Sequence, residues 1–275
     1  MCEVFELSRS NYYKWRENLV SERKKKDEIL QSKIRIIHNK SKKRYGSPRI
    51  HNTLKAEGEL VSKKRVARIM RENEIVSISK KKFKATTYSK HSLPICPNLL
   101  NQNFYSKAPN QAWVGDITYI PTAEGWLYLA TIIDLFSRRV VGWAASERMT
   151  TDLVEQAFLR AYWKRKPNNE LIFHSDRGSQ YASLRYQKLL KTLNVQQSMS
   201  AKGNCYDNAV AESFFGKIKT EFINHEHFIS RKEAKLGIFE YIEIFYNRER
   251  KHSTLNYLSP LQFEELYNIS KKFVS

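Results

Sequence analysis

From Trp113 onward the chain carries an order of patterns that only a mixed α/β layer structure accommodates. Three runs rich in β-branched and aromatic residues come first, at 114–120, 126–134 and 139–144. Glu124-Gly125 and Ser137-Arg138 separate them, and such short turn-forming breaks predict an antiparallel meander. A helix is expected over 152–164, with Leu153, Ala157 and Ala161 on one face. A short apolar strand at 171–174, a helix at 184–193 and a strand at 195–199 follow, then helices at 209–222 and 231–245. Strands reached through helical crossovers run parallel, so the order βββαβαβα predicts a sheet that is antiparallel on one side and parallel on the other.

That order is the order of a ribonuclease-H-like fold, and it gives three acidic residues a common address. Asp116 lies in Trp113-Val114-Gly115-Asp116-Ile117-Thr118-Tyr119, the first and central strand. Asp176, in His174-Ser175-Asp176-Arg177-Gly178, stands at the C-terminal end of the fourth strand, beside the first. Glu212 follows after 35 intervening residues, on a helix crossing near those strand ends. A few carboxylates suffice for Mg²⁺, a hard cation that prefers oxygen ligands and keeps several waters. Two such ions about 3.5–4 Å apart can serve an in-line displacement at phosphorus. Asp116 would then bridge the ions, with Asp176 and Glu212 each holding mainly one. Taken singly, an aspartate at a strand end is commonly a turn residue or cap, and Asp134 and Asp207 read that way. Glu212 differs, because its stretch is otherwise apolar and an unpartnered carboxylate is costly to bury. His174 is either a neighbour of the metals or, as we favour, a packed strand residue. Lys219 lies seven residues after Glu212, on about the same helical face, and serves equally well as a cation for a DNA strand or as a solvated lysine. Lys217 points elsewhere.

The charge is uneven. The chain has 275 residues and a formal net charge of +20. Its first 110 residues hold 26 Lys and Arg against 10 Asp and Glu, whereas the remainder holds 22 against 18. A polyanionic partner gripped by the front half is the direct implication. Residues 1–40 form a basic helical segment, within which Ser8 or Ser10 is placed to cap a helix. Residues 41–76 form a helix-turn-helix-like segment: Tyr45-Gly46-Ser47-Pro48 turns, 49–56 is a short helix, and Ser62 caps a second helix from Lys63. That helix buries Val66, Ile69 and Met70 and presents Lys63, Lys64, Arg65 and Arg68 as candidate DNA-binding residues. Residues 77–107, with Lys80-Lys81-Lys82-Phe83-Lys84 and scattered prolines, read as a linker, either an arm along DNA or a connector. The catalytic core is assigned to 108–230 and a helical extension to 231–275. Cys2, Cys96 and Cys205 are dispersed and suit a reducing compartment. No apolar run long enough for a transmembrane helix and no signal-peptide pattern occurs, so no membrane partner is expected.

Several motifs resemble those of a known family. They are Trp113-x-x-Asp116-Ile117-Thr118-Tyr119, His174-Ser175-Asp176-Arg177-Gly178-Ser179-Gln180-Tyr181, and Gly203-Asn204-x-Tyr206-Asp207-Asn208-Ala209-x-x-Glu212-Ser213-Phe214-Phe215. Tyr246-Asn247-x-x-Arg250-x-His252-x-x-Leu255-x-Tyr257-x-Ser259-Pro260 and Tyr45-Gly46-Ser47-Pro48-Arg49-Ile50 add to them. Together they resemble the integrase-core transposases of bacterial insertion sequences, more narrowly the orfB product of elements with overlapping orfA and orfB frames. The resemblance implies a catalytic, metal-holding triad of Asp116, Asp176 and Glu212, with Lys219 beside it. It implies two Mg²⁺ ions, replaceable by Mn²⁺, and no zinc. It implies cutting at element ends and strand transfer into target DNA. Partners would be double-stranded DNA, an orfA-type helix-turn-helix and leucine-zipper product often joined by frameshifting, and further copies of the chain. The resemblance also implies that the orfA product supplies much of the end recognition and that the protein is a cytoplasmic, nucleoid-associated one of bacteria. The chain itself begins at Met1 and carries no long leucine heptad, which fits a recombinase incomplete without that product. The contrasting expectations are a ribonuclease-H-like nuclease without strand transfer and a non-enzymatic DNA-binding element product, inactive without its orfA partner.

Overall fold

A computed structural model describes residues 4–5, 8–16, 21–78, 93–167, 170–201 and 205–272. The Lys80–Lys84 run and the Gly203-Asn204 motif positions lie outside the described residues. The chain divides into two compact units, 1–78 and 79–275.

The first unit is helical: α1 Arg9–Arg16, α2 Glu22–Lys40, α3 Ser47–Ala56 and α4 Lys63–Glu72. Ser21 and Ser62 cap α2 and α4, accepting from Lys24 N at 3.3 Å and Arg65 N at 3.2 Å. The helix expected from Arg49 begins two residues earlier, because Pro48 is preset for a first helical turn. Leu30, Ile34 and Ile37 of α2 meet Ile50 and Leu54 of α3 and Val66, Ile69 and Met70 of α4 in one buried core. The basic residues of α4 are not alike. Lys63 and Lys64 are exposed, whereas Arg65 and Arg68 are half-buried and both contact Asp27 of α2 at 2.7 Å. The Arg68 hydrogen bond, with Arg65, holds the Asp27 carboxyl below its usual range despite the opposing effect of burial. Arg68 also reaches Glu72 at 2.8 Å.

The second unit is built on a five-stranded sheet: β1 Ala112–Thr122, β2 Gly125–Asp134, β3 Val140–Ser146, β4 Ile172–Ser175 and β5 Gln196–Met199. Its order is β3-β2-β1-β4-β5. The first three strands are antiparallel, and β4 and β5 join β1 in parallel, as the element order predicts. The fold is the ribonuclease-H-like mixed sheet. Between β3 and β4 runs α5 Thr151–Arg165; between β4 and β5 run the short α6 Ser179–Ala182 and α7 Leu184–Thr192. The helix α5 lies very close to the sheet: a Cβ at Gly142 would stand 2.5 Å from the Ala157 carbonyl. Trp113, Phe158, Phe173, Tyr181 and Tyr186 pack edge-on or tilted in the core beneath it, which favours a unique arrangement over a slippery aliphatic one. The helices α8 Ala209–Glu221 and α9 Arg231–Phe239 pack on β1.

Residues 93–107, expected to belong to an extended linker, are instead fastened to the core. Met199 N donates to Pro97 O at 3.3 Å, Leu99 N to Ser198 Oγ at 2.9 Å, and Gln187 to Pro94 O at 3.0 Å. This stretch binds along β5 and dresses an edge that would otherwise present unpaired backbone.

The helix expected over 231–245 holds its α form only to Phe239. It then widens into a π-helical segment, Glu240–Glu249, and a further helix, α10 Pro260–Lys272, follows. Three polar devices lock this end to the core. The Asn247 amide accepts from Val140 N and donates to Val140 O, both at 3.0 Å, acting as a one-residue strand partner for β3. Glu264 of α10 accepts from Ser137 at 2.7 Å, Arg139 at 2.6 Å and Arg165 at 2.8 Å. Arg250 grips Glu221, at the end of α8, through two parallel bonds of 2.8 and 2.6 Å, and Tyr241 donates to the same carboxylate at 2.9 Å. Both members of the pair are buried, so removal of one strands the other in a poorly polar site. Arg250→Ala is expected to lower stability by about 3–5 kcal/mol, read as a drop in the urea midpoint. An unchanged midpoint would show that the pair braces nothing.

Candidate active site

The parallel register of β1 and β4 aligns Gly115 with Ser175. The next residue along each segment is a carboxylate, Asp116 within β1 and Asp176 just past the end of β4, so the register brings the two side by side. Gly115 is required by this closeness: a Cβ there would come within 2.5 Å of the Phe173 ring. Asp116 is half-buried and accepts from Ile117 N at 2.8 Å. Asp176, where β4 has ended, accepts from Gly178 N at 2.9 Å in the turn that opens α6. Glu212 sits in the first turn of α8.

Burial pushes the Asp116 carboxyl well above the ordinary range. The charge of Asp176 adds to this, and that of Glu212 adds further, while the Ile117 amide and Lys219 pull the other way. Partial desolvation by its surroundings, and then the charge of Asp176, raise the pKa of Glu212, although the residue stays exposed. The three carboxylates therefore share one electrostatic field. The expectation that Glu212 is buried by its apolar neighbours is corrected. Ala211, Phe214 and Phe215 are buried, but Glu212 faces outward and is exposed, because a helix turns successive residues away from one another. Lys219 is half-buried on the same helix, with its ammonium 4.6 Å from the centre of the Tyr119 ring. Burial lowers its pKa, against the opposing pull of Tyr119 and Asp116. Lys217 is turned to Ser213 at 2.9 Å.

Three other residues take structural places. His174 is fully buried between Ser198 at 2.8 Å and Ser200 at 3.3 Å, and burial brings its pKa down to about 4, so it is a neutral packed residue. Asp134 accepts from Asn110 N and Phe136 N at 2.8 Å, as a strand-end cap does. Asp207 accepts from Ala201 N at 2.7 Å and Asn98 at 2.9 Å, tying the approach to α8 to the 93–107 stretch.

Tyr181 closes one of the motifs quoted from the sequence but is given no role there. It is buried on α6 with a hydroxyl that has no hydrogen-bond partner among the described residues, and its proton is held by burial and by the nearby charges of Asp116 and Asp176. Only its place five residues after Asp176 hints at this, and a four-residue helix leaves no periodicity to read.

Among the described residues, no three His, Cys, Asp or Glu side chains are drawn into a finished cation cage. The residues nevertheless suit a divalent ion. All three are hard oxygen donors, the set that Mg²⁺ takes alongside water and substrate phosphates. Their mutual repulsion is what a dication offsets.

Integrase core domain models match residues 106–205 and 193–260, and an HTH-like domain model matches residues 24–83. The chain is 47% identical over 268 residues to the insertion element IS600 uncharacterized 31 kDa protein of Shigella sonnei, covering 98% of each. It is 47% identical over 266 residues to the transposase InsF for insertion sequence IS3A of Escherichia coli K12, covering 96% of this chain and 92% of that one. The magnesium-bound catalytic core domain of the HTLV-2 integrase aligns with a TM-score of 0.45 at 16% identity, over 58% of this chain and 99% of that one.

Replacing Asp116 by Asn removes one charge from the repelling set while keeping the shape. In metal-free buffer at neutral pH the Asp116→Asn protein should melt higher than the parent in calorimetry, since burial and like charges both disfavour the ionised carboxylate. A lower melting temperature would mean that Asp116 serves the fold.

Proposed function

The chain belongs to the insertion-element transposases represented by InsF of IS3, and on that premise we propose that Asp116, Asp176 and Glu212 form its catalytic triad. The observation that carries this reading is the β1–β4 register, which sets two carboxylates on neighbouring strands within the field of a third. The reaction is phosphoryl transfer on DNA: water cuts at the element end and leaves a 3′-hydroxyl, and that hydroxyl then attacks a target phosphodiester.

Asp116, Asp176 and Glu212 would hold two Mg²⁺ ions, or Mn²⁺ in their place. Bound there, the ions supply a more acidic attacking hydroxyl and neutralise charge on the leaving oxygen. The chain's own groups do the rest. The paired backbone of β1 around Asp116 and the turn just past β4 that carries Asp176 hold both carboxylates in position without rearrangement, as preorganised charge requires. Lys219, positioned over Tyr119 and near Asp116, would hold a DNA phosphate beside the carboxylates. In the helical unit, Lys63 and Lys64 would contact the DNA backbone; Arg65 and Arg68 would do so from positions set by Asp27. Assembly of several copies on DNA, together with an orfA-type product that reads the element ends, completes the proposal. Residues 41–76 would be the DNA-reading domain and 108–230 the catalytic one.

Asp116→Asn, Asp176→Asn and Glu212→Gln should each abolish Mg²⁺- or Mn²⁺-dependent nicking and joining of plasmid DNA while leaving DNA binding intact. Cutting that persists in one of them removes that residue from the triad. The Lys63→Ala, Lys64→Ala double variant should lower the slope of log affinity against log salt by about 0.9 for each phosphate that is no longer neutralised. An unchanged slope would place the DNA elsewhere on the chain.

A further inference from the structure

Two aromatic side chains stand partly exposed near Lys219. Tyr119 of β1 is 37% and Trp126 of β2 is 50% exposed. Their rings meet edge to face, 85° apart with centres at 5.1 Å, and the Lys219 ammonium lies 4.6 Å from the Tyr119 centre. The pair is rigidly mounted. Both residues belong to the long β1–β2 hairpin, whose turn is closed by Thr122 Oγ1 donating to Gly125 O at 2.6 Å. Gly125 occupies a left-handed conformation, φ +102°. Arg231 donates through Nε to Trp126 O at 3.2 Å and fixes the start of β2. An indole left half in water on so firm a support loses apolar burial without gaining flexibility. Such a surface suits a flat, apolar-faced ligand close to a cation.

Resting on the reading that Asp116 belongs to a DNA-cutting centre, we infer that Tyr119 and Trp126 form a stacking platform for unpaired nucleobases at a frayed DNA end, with Lys219 holding the adjoining phosphate. Three considerations favour this occupant. Along β1 the backbone of Tyr119 is three residues, about 10 Å at ~3.4 Å per residue, from that of Asp116. Strand alternation turns the two side chains to opposite faces, and Lys219, against the Tyr119 ring and within the field of Asp116, spans the two. A lysine against one of two adjoining aromatic rings is the combination that single-stranded nucleic acid meets in its binding grooves, charge for the backbone and π-faces for the bases. Stacking tolerates any base, so the platform would select for the unpaired state of the end and leave sequence to be read elsewhere.

The test uses the full chain and two short duplexes of one sequence, one blunt and one with three mismatched terminal pairs, each carrying 2-aminopurine near the 3′ end. Binding is measured by anisotropy and base stacking by 2-aminopurine quenching. The parent protein should prefer the frayed end and quench its probe. Trp126→Ala should weaken binding to the frayed end about tenfold, at the lower range of one lost base stack, and leave blunt-end binding unchanged. Trp126→Phe should restore most of the difference, and Tyr119→Phe should behave as the parent. Equal affinity of the parent for both ends, or a Trp126→Ala protein that still prefers and quenches the frayed end, overturns the platform. Plasmid nicking on the same preparations separates the two readings. Nicking without a frayed-end preference removes the platform and leaves the nuclease; a tryptophan-dependent preference without nicking supports the platform and counts against the catalytic reading.

Discussion

The register between β1 and β4 is the constraint from which the site follows. Parallel pairing of Gly115 with Ser175 sends Asp116 and Asp176 out of the sheet together. A slip of one residue would turn Asp116 to the opposite face. What prevents that slip lies one layer below. Phe173 packs against Phe158, Tyr181 and Tyr186, and its ring fills the space over Gly115 where any side chain would collide. The aromatic core therefore does for the site what the carboxylates cannot do for themselves, since their charges drive them apart. Burial of large rings in an α/β layer, each worth about 1.5–3 kcal/mol, readily offsets the repulsion of three partly solvated carboxylates.

The third carboxylate is held differently. Glu212 rides on α8, whose far end is clamped by the buried Glu221–Arg250 pair. Arg250 belongs to the C-terminal motif that includes Asn247, and Asn247 in turn completes the β3 hydrogen bonding. A motif most easily taken for a substrate-contacting signature is thus a brace. It joins the edge strand, the π-helical segment and the helix that carries Glu212. Glu264, accepting from Ser137, Arg139 and Arg165, fastens α10 to the same side of the sheet. The bonds to Glu221 and Glu264 are charge-assisted and made by buried or half-buried groups, which strengthens them over neutral ones.

Much of this is legible in the sequence for identifiable reasons. The strands β1, β2 and β3 declare themselves through β-branched and aromatic runs broken by turn residues, and that order dictates the mixed sheet. Asp116 and Asp176 can be located because strand alternation and strand ends are short-range properties. The exposure of Glu212 escapes such a reading because apolar neighbours on a helix say nothing about the residue between them; a helix points i and i+1 about 100° apart. Residues 93–107 read as a linker because the bonds made by Pro94, Pro97 and Leu99 join positions about a hundred residues apart, beyond any local pattern. The widening at Glu240 is hidden for a similar reason. Helix-forming residues continue through it, and its tertiary partners, such as Trp143 donating to Glu243 at 3.1 Å, come from a distant strand.

The same distinction between local and distant causes governs the basic helix α4. Its sequence offers Lys63, Lys64, Arg65 and Arg68 as equals, yet Asp27, nearly forty residues earlier, divides them. Two lysines stay exposed and hydrated, suited to a backbone read only as charge. Two arginines are splinted by one carboxylate, so each guanidinium gives up some donors and some freedom in return for a fixed direction. Such a splint reduces the net charge the helix offers to any polyanion. It also reduces the entropy that a directed contact would later cost, because the side chains are already ordered. A helix meant only to attract phosphate gains nothing from Asp27. A helix that must place two forks in a set orientation does, and on that ground the arginines are the members of the basic face best suited to geometry, and the lysines to affinity.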